Sequence, residues 1–226
     1  PFSRAIHPTT WRPWWSFGCG GLGDIGCHTI DTAYWALGLG APDRVEVDMT
    51  EKANPIHTPN GSIVTYKFPA RGKQPAVDVK WIEGPRLPKA PKGYDWEIKG
   101  NGGFIMVGEK GGISHDGMRP NSPRLYPKSR WESYRKNANE RVPKTLKRVP
   151  GIHNDWVNGI RNSELTVSDF SYSGPLTESI ILGTLAIRTG KGLGWSSKDM
   201  KISGNQEAAD LVNVEARKGW RTSDLV

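Results

Sequence analysis

Short runs in which apolar and polar residues alternate dominate the first half of the chain. They cover residues 44–50, 62–68 and 76–82, and two more follow at 104–108 and 112–115. This period of two predicts β-strands that bury one face. No helical pattern separates the runs, so we predict a mainly antiparallel sheet.

Helical periodicity precedes and follows these strands. A helix is predicted from Gly23 to Gly38, where Gly38, Gly40 and Pro42 form a stop signal. Three further helices are predicted at 152–161, 176–189 and 206–218. The combination predicts an α+β fold, in which an open, mainly antiparallel sheet has helices packed on one face.

The stretch 117–150 is rich in Pro, Arg, Lys, Ser and Asn and has little periodicity. It predicts a long surface loop or arm.

The 226 residues could form one large domain or two small ones. We expect a single domain over residues 1–226.

The first predicted helix carries the strongest candidate chemistry. Asp24, His28, Asp31 and Trp35 follow one another at offsets of four, three and four, so they stack along one helical face. A narrower apolar stripe for docking on a core is formed by Ile25, Thr29, Ala33 and Leu37.

Three interpretations of Asp24 and His28 follow from the spacing. Asp24 can be a carboxylate near a helix start, with His28 as a packed histidine. The one-turn spacing also suits metal ligands, although no recognisable third ligand accompanies them. In the catalytic interpretation His28 is a general base, and Asp24 or Asp31 positions substrate hydroxyls or orients the imidazole.

Glycines before this helix raise the question of nucleotide binding. Gly18, Gly20 and Gly23 match G-x-G-x-x-G, and Asp43 follows about twenty residues later. The fingerprint requires a buried strand directly before the glycines, whereas Arg12-Pro13-Trp14-Trp15-Ser16-Phe17 stands there. We therefore expect no cofactor-binding residue in this chain.

Arg12 among the tryptophans is a stacked cation suited to packing or to holding a sugar.

Composition adds little to these candidates. The net charge of +8 lies largely in loops around 119–148, which favours a solvated basic surface over a nucleic-acid site. Cys19 and Cys27 form neither a disulfide framework nor a zinc motif, and no metal site is expected. No apolar run is long enough for a membrane span. The chain begins at Pro1 without Met, so we expect a fragment of a longer protein or a processed product.

The same residues resemble a known family. WRPWW at 11–15 and GGLGDIGCHTID at 20–31 resemble the substrate-domain segment of the glucose-fructose oxidoreductase, inositol dehydrogenase and MocA (Gfo/Idh/MocA) family. DVKWIEG at 78–84, GEKGG at 108–112, the stretch from Gly174 to Gly190 and RKGW at 217–220 extend the resemblance over nearly the whole chain.

The resemblance implies the substrate-binding and catalytic-base domain of an NAD(P)-dependent oxidoreductase that acts on a sugar, cyclic polyol or glycoside. His28 and Asp24 would be the catalytic pair, and Asp31, Arg12 and Trp15 would bind substrate. NAD or NADP would be bound mainly by an N-terminal Rossmann domain, whose Glu-Lys-Pro-type lysine is missing here. This chain alone should then be inactive, and it would form a homo-oligomer through the sheet.

Two other functions remain open on this resemblance. One is an NAD-dependent glycosidase of the same family, and the other is a non-catalytic carbohydrate-binding or oligomerisation module. Neither nucleic acid nor membrane is an expected partner. The compartment, cytoplasmic or periplasmic, is left unknown because an export signal would lie upstream.

Overall fold

The computed structural model describes residues 4, 7–86, 88–92, 94, 102–137, 139, 141–212, 216–221 and 223. The chain forms two compact units. Unit 1 comprises Pro1–Leu87 and Glu178–Val226, and unit 2 comprises Pro88–Thr177. The single domain over 1–226 stays a prediction, and each unit is described by itself.

Unit 1 contains the elements α1 (Gly20–Leu37), β1 (Arg44–Met49), β2 (Ser62–Phe68), β3 (Val77–Glu83), β7 (Leu193–Ser196), β8 (Lys201–Ser203) and α5 (Gln206–Val212), and the C-terminal part of α4, which spans Phe170–Thr189. Its strands form a five-stranded antiparallel sheet in the order β3-β2-β1-β7-β8.

One face of this sheet forms the core of unit 1. Alternate side chains of β2, namely Val64, Tyr66 and Phe68, are at most 2% exposed. The ring of Phe68 packs edge-on against Tyr34 of α1 at 6.4 Å, and the Tyr66 hydroxyl lies against Gly183 of α4. Helices α1 and α4 therefore cover this face, which confirms the α+β fold with an open, mainly antiparallel sheet.

The opposite face of the sheet is polar. Lys67 of β2 makes ion pairs with Asp78 of β3, at 2.6 Å, and with Glu46 of β1, at 3.8 Å. These positions alternate with the core residues along each strand, as the period of two requires.

Unit 2 contains the elements β4 (Gly103–Gly108), β5 (Gly111–Asp116), β6 (Asn121–Tyr126), α2 (Lys128–Lys136), α3 (Ile152–Asn162) and the N-terminal part of α4. Its strands form a second antiparallel sheet in the order β4-β5-β6. The strands predicted at 104–108 and 112–115 thus pair with each other across a tight turn and do not join the first sheet.

The predicted arm at 117–150 needs correction. It is not irregular throughout, because β6 pairs with β5 and α2 follows directly. Aromatic residues within this polar sequence account for its regular secondary structure, because they provide packing contacts. The Trp131 ring stacks on Tyr134 at 5.9 Å, and the Tyr126 ring packs near Tyr94 at 6.0 Å. Within the described residues, 141–150 have no regular secondary structure.

Several helix boundaries also differ from the prediction. α1 begins at Gly20, three residues early, and ends at Leu37, one residue before the predicted end; Gly38 is its C-cap, and its φ of 55° suits glycine. α4 begins at Phe170 and continues through Pro175. α5 ends at Val212, so the described residues 216–218 of the predicted helix are not helical, and 213–215 lie outside the described residues.

Candidate functional site

The aromatic loop before α1 folds back onto the helix start. The Gly20 amide donates to the Arg12 carbonyl at 3.0 Å, and the Trp15 amide donates to the Ile56 carbonyl at 3.0 Å. Gly20 has a φ of 73°, and a Cβ there would stand 2.5 Å from Thr58. Glycine is required because the turn is left-handed and the neighbouring loop is close.

This geometry accounts for the glycine motif without a nucleotide. Gly18 and Gly20 follow a series of turns, in which Trp14 makes only an isolated bridge to His57. A dinucleotide site needs a central strand leading into the helix. The described residues before α1 therefore do not supply the strand that a dinucleotide site needs.

The buried side of α1 is not the predicted stripe. Leu22, Gly26, Ile30 and Ala33 are buried, while Ile25, Thr29 and Leu37 are only half-buried. Gly26 makes the difference, because it faces α4, where Ile180 lies 3.6 Å from the place of a Cβ. The predicted stripe was wrong because it was based on apolar side chains, and a glycine can also lie at a helix–helix contact.

The opposite side of α1 carries the predicted polar residues. Arg12 Nη1 lies 3.2 Å from Asp24 Oδ2, so the loop and the helix are joined by an ion pair. His28 and Asp31 are half-buried on the following turns. The structure thus brings Arg12 to Asp24 and places His28 and Asp31 on the same face.

The His28 imidazole has no hydrogen bond to another residue in the described part of the chain. Asp24 is engaged by Arg12 instead of His28. An imidazole that is half-buried and free of protein partners can accept a proton from a bound hydroxyl. Asp24 is not in the first turn of α1, which weakens its interpretation as a helix-start carboxylate.

Trp15 is fixed near the start of α1 by both of its nitrogen atoms. Besides its amide, its indole N–H donates to the Asn54 carbonyl at 2.8 Å. The guanidinium carbon of Arg188 lies 5.5 Å from the ring centroid, a cation–π contact. The cation that stacks on Trp15 is therefore Arg188 of α4, which the sequence did not reveal, and not Arg12.

Glu83, at the end of β3, is a second residue that the sequence analysis missed. Its Oε1 accepts a hydrogen bond from Ser62 Oγ at 2.8 Å, and its Oε2 lies 2.4 Å from where a Cβ of Gly21 would stand. Burial raises the pKa of the Glu83 carboxyl above its ordinary value, against the opposing hydrogen bonds from Ser62 and Trp81. Its sequence signals were its place after a predicted strand and its position within the DVKWIEG segment.

The family model for the GFO/IDH/MocA C-terminal domain matches residues 1–114, about half of the chain and all of α1 with its preceding loop. The chain belongs to the GFO/IDH/MocA family. A comparison with curated proteins found no match.

Membership in the GFO/IDH/MocA family sets the general chemistry. Its members are generally oxidoreductases that use NAD(P), and its C-terminal domain has an N-terminal partner domain in the same protein. Among the described residues, no group of three or more His, Cys, Asp or Glu side chains could hold a metal ion. No described helix is long and apolar enough to cross a membrane.

Proposed function

We propose that this chain is the substrate-binding and catalytic-base domain of an NAD(P)-dependent oxidoreductase acting on a sugar, cyclic polyol or glycoside. The observation that carries the proposal is the polar face of α1. It presents a half-buried His28, whose imidazole has no hydrogen-bond partner among the residues that the structure describes, beside carboxylates, one of which is held in place by Arg12.

His28 has the role of proton acceptor in this proposal. When a secondary hydroxyl is oxidised, its O–H proton passes to the imidazole and the carbon becomes a carbonyl. The hydride that leaves the same carbon would be accepted by a nicotinamide bound mainly by an N-terminal domain. Asp31 accepts hydrogen bonds from neighbouring hydroxyls, which orients the reacting carbon, and orientation supplies much of the rate in such reactions.

Arg12 and Trp15 shape the end of the site at the start of α1. Arg12 holds Asp24 in place through the ion pair, and the carboxylate can accept hydrogen bonds from substrate hydroxyls. The Trp15 ring is anchored through Asn54 and already covered on one side by Arg188. Any sugar that packs on Trp15 therefore uses the other side or the edge of the ring.

Product analysis of the full-length protein tests this function. The protein with its N-terminal domain would be incubated with NAD or NADP and a panel of sugars, cyclic polyols and glycosides. Stoichiometric NADH or NADPH and a keto product are expected. Free sugar released from a glycoside without net cofactor reduction would instead indicate an NAD-dependent glycosidase, and binding without either product would indicate a non-catalytic module.

We further propose that the protein forms a homo-oligomer through the polar face of the five-stranded sheet. The support is that α1 and α4 cover only the other face, while strands β1 to β3 carry the ion pairs around Lys67 on this one. Sedimentation of the full-length protein should give a multiple of the monomer mass. A monomer at micromolar concentration would contradict the proposal.

A further inference from the structure

Arg188 stands beside Trp15 without a polar partner. It lies half-buried in the last turn of α4, and its guanidinium carbon is 5.5 Å from the centroid of the Trp15 ring. No hydrogen bond or ion pair joins this guanidinium to any residue in the part of the chain that the structure describes. Its nitrogens are not among the buried unpaired side-chain atoms of the described residues either, so they remain accessible to solvent.

The surroundings of Arg188 hold it in place. Its neighbours along α4, Ile187 and Thr189, are buried, and Thr189 Oγ1 accepts a hydrogen bond from Asn205 at 2.9 Å. The Trp15 ring against the guanidinium is itself fixed by the hydrogen bond from its indole to the loop between β1 and β2. A group with a packed backbone and a rigid aromatic support loses little conformational entropy when it binds a ligand.

The packing of Arg188 makes no use of its N–H groups. Its charge alone explains a place in the last turn of a helix, where the helix dipole favours a cation, and it also explains the contact with an aromatic ring. A lysine would serve both purposes. Arginine differs because it presents a planar fork of N–H donors, which matches two oxygens of a carboxylate or a phosphate.

The carboxylates near the start of α1 are engaged elsewhere. Asp24 pairs with Arg12 at 3.2 Å, and Glu83 accepts a hydrogen bond from Ser62 at 2.8 Å. Neither of these two carboxylates forms an ion pair with Arg188. A positive charge whose N–H donors are held in place and unused is suited to a negatively charged ligand.

We propose that Arg188 binds an acidic group of the substrate, a carboxylate or a phosphate, which makes the substrate an acidic sugar or polyol and not a neutral one. This inference rests on the proposed function, in which Trp15 contacts the substrate. Because Arg188 covers one side of the Trp15 ring, the sugar packs at the edge of the ring with its acidic group towards the guanidinium.

The test is calorimetry on the full-length protein with two matched series of sugars. One series is glucose, glucuronate and glucose 6-phosphate, and the other is galactose, galacturonate and galactose 6-phosphate. Arg188→Gln removes the charge and the fork, whereas Arg188→Lys keeps the charge and the favourable interaction with the helix dipole but lacks the fork. Arg161→Gln is the control, because Arg161 is exposed and also lies in the last turn of a helix, α3.

The wild type should bind an acidic member of at least one series about tenfold or more tightly than the neutral sugar, because the ion pair is charge-assisted and bidentate. Arg188→Gln should abolish this preference, Arg188→Lys should keep only part of it, and Arg161→Gln should keep all of it. Tighter binding of the uronate identifies a carboxylate, and tighter binding of the sugar phosphate identifies a phosphate.

Two results would overturn the inference. One is a wild type that binds the neutral sugars as tightly as the acidic ones. The other is an Arg188→Gln variant that keeps the wild-type preference, including one that loses only affinity for NAD(P) or stability in urea, because Arg188 would then contact the cofactor or the N-terminal domain.

Turnover of the same sugars separates this inference from the proposed function. If the wild type binds acidic sugars through Arg188 but yields neither NAD(P)H nor a keto product, the proposed oxidoreductase function fails and the Arg188 contact stands. If the wild type oxidises sugars and Arg188→Gln keeps the wild-type preference among them, the function stands and the Arg188 inference fails.

Discussion

The close approach of α4 to β2 at Gly183 gives the sharpest stability prediction. A Cβ at this position would stand 2.0 Å from the Tyr66 hydroxyl and 2.8 Å from both Tyr66 Cζ and a methyl carbon of Leu22. Tyr66 and Leu22 are each 1% exposed, so neither can move aside into solvent. Gly183→Ala must therefore displace α4 or α1.

The magnitude follows from two opposing contributions. Overpacking of a tight core costs about 3 kcal/mol at the upper end of its usual range, which suits three contacts below 3 Å. Alanine recovers about 1 kcal/mol of helix propensity relative to glycine. We expect Gly183→Ala to lower the free energy of unfolding by about 2 kcal/mol in urea titrations.

Tyr66→Phe provides the complementary change. The Tyr66 hydroxyl is buried without a hydrogen-bond partner among the described residues, and burial, with a smaller contribution from the charge of Glu83, raises the pKa of this phenol. Removing an unpaired buried hydroxyl should raise the free energy of unfolding by about 1 kcal/mol. It also removes the nearest contact to position 183, so the double variant should be more stable than the sum of the single effects predicts.

Gly174→Ala is the control, because Gly174 lies in the same helix with nothing within 4 Å of a Cβ. Because Pro175 follows and disfavours a helical residue with a Cβ before it, the gain of about 1 kcal/mol in helix propensity is offset, and Gly174→Ala should change the free energy of unfolding by less than about 1 kcal/mol. If Gly183→Ala were as stable as Gly174→Ala, or if the effects of Tyr66→Phe and Gly183→Ala simply added, the packing described for α1, α4 and β2 would be wrong.

Two further predictions concern residues that join elements. The pKa of Glu83 is raised in the folded chain, so its contribution to stability is present below the ordinary carboxyl pKa and is lost as the pH rises through the folded value. The stability of E83Q relative to wild type should therefore increase from pH 4 to pH 7 in urea titrations. A constant difference between the two proteins would contradict the burial of Glu83. Asn205 caps α5 by accepting a hydrogen bond from the Ala208 amide at 3.0 Å, and it donates to Thr189 Oγ1 at 2.9 Å. Asn205→Ala should therefore lower the free energy of unfolding by about 2 kcal/mol or more in the same assay. A decrease below about 0.5 kcal/mol would show that these hydrogen bonds contribute little.

The strands that the sequence predicted correctly are those with regular alternation. β2 buries every second residue from Ser62 to Phe68, and charged residues alternate with apolar ones along β1 and the first five residues of β3, so the period is visible in the sequence. β6 contains Pro123, and β8 has only three residues, so neither shows a usable pattern. The start of α4 was missed because Gly174-Pro175 is typical of a helix break, whereas the helix continues through it.

The candidate site divides in a similar way. Arg12, Asp24, His28 and Asp31 lie within twenty residues, and helical spacing is enough to place the last three on one face. Glu83 and Arg188 reach the start of α1 from β3 and α4, far along the chain. Such contacts depend on how the elements pack, which local spacing does not encode.

The most direct test of the central claim is the effect of His28→Ala on oxidation by the full-length protein. With the best sugar of the panel, kcat should fall about 100-fold or more while KM changes little, because removal of a general base affects the transition state more than binding. His153→Ala, an exposed histidine on α3, should retain wild-type kinetics. Equal kcat for His28→Ala and wild type would contradict the assignment of His28 as the proton acceptor.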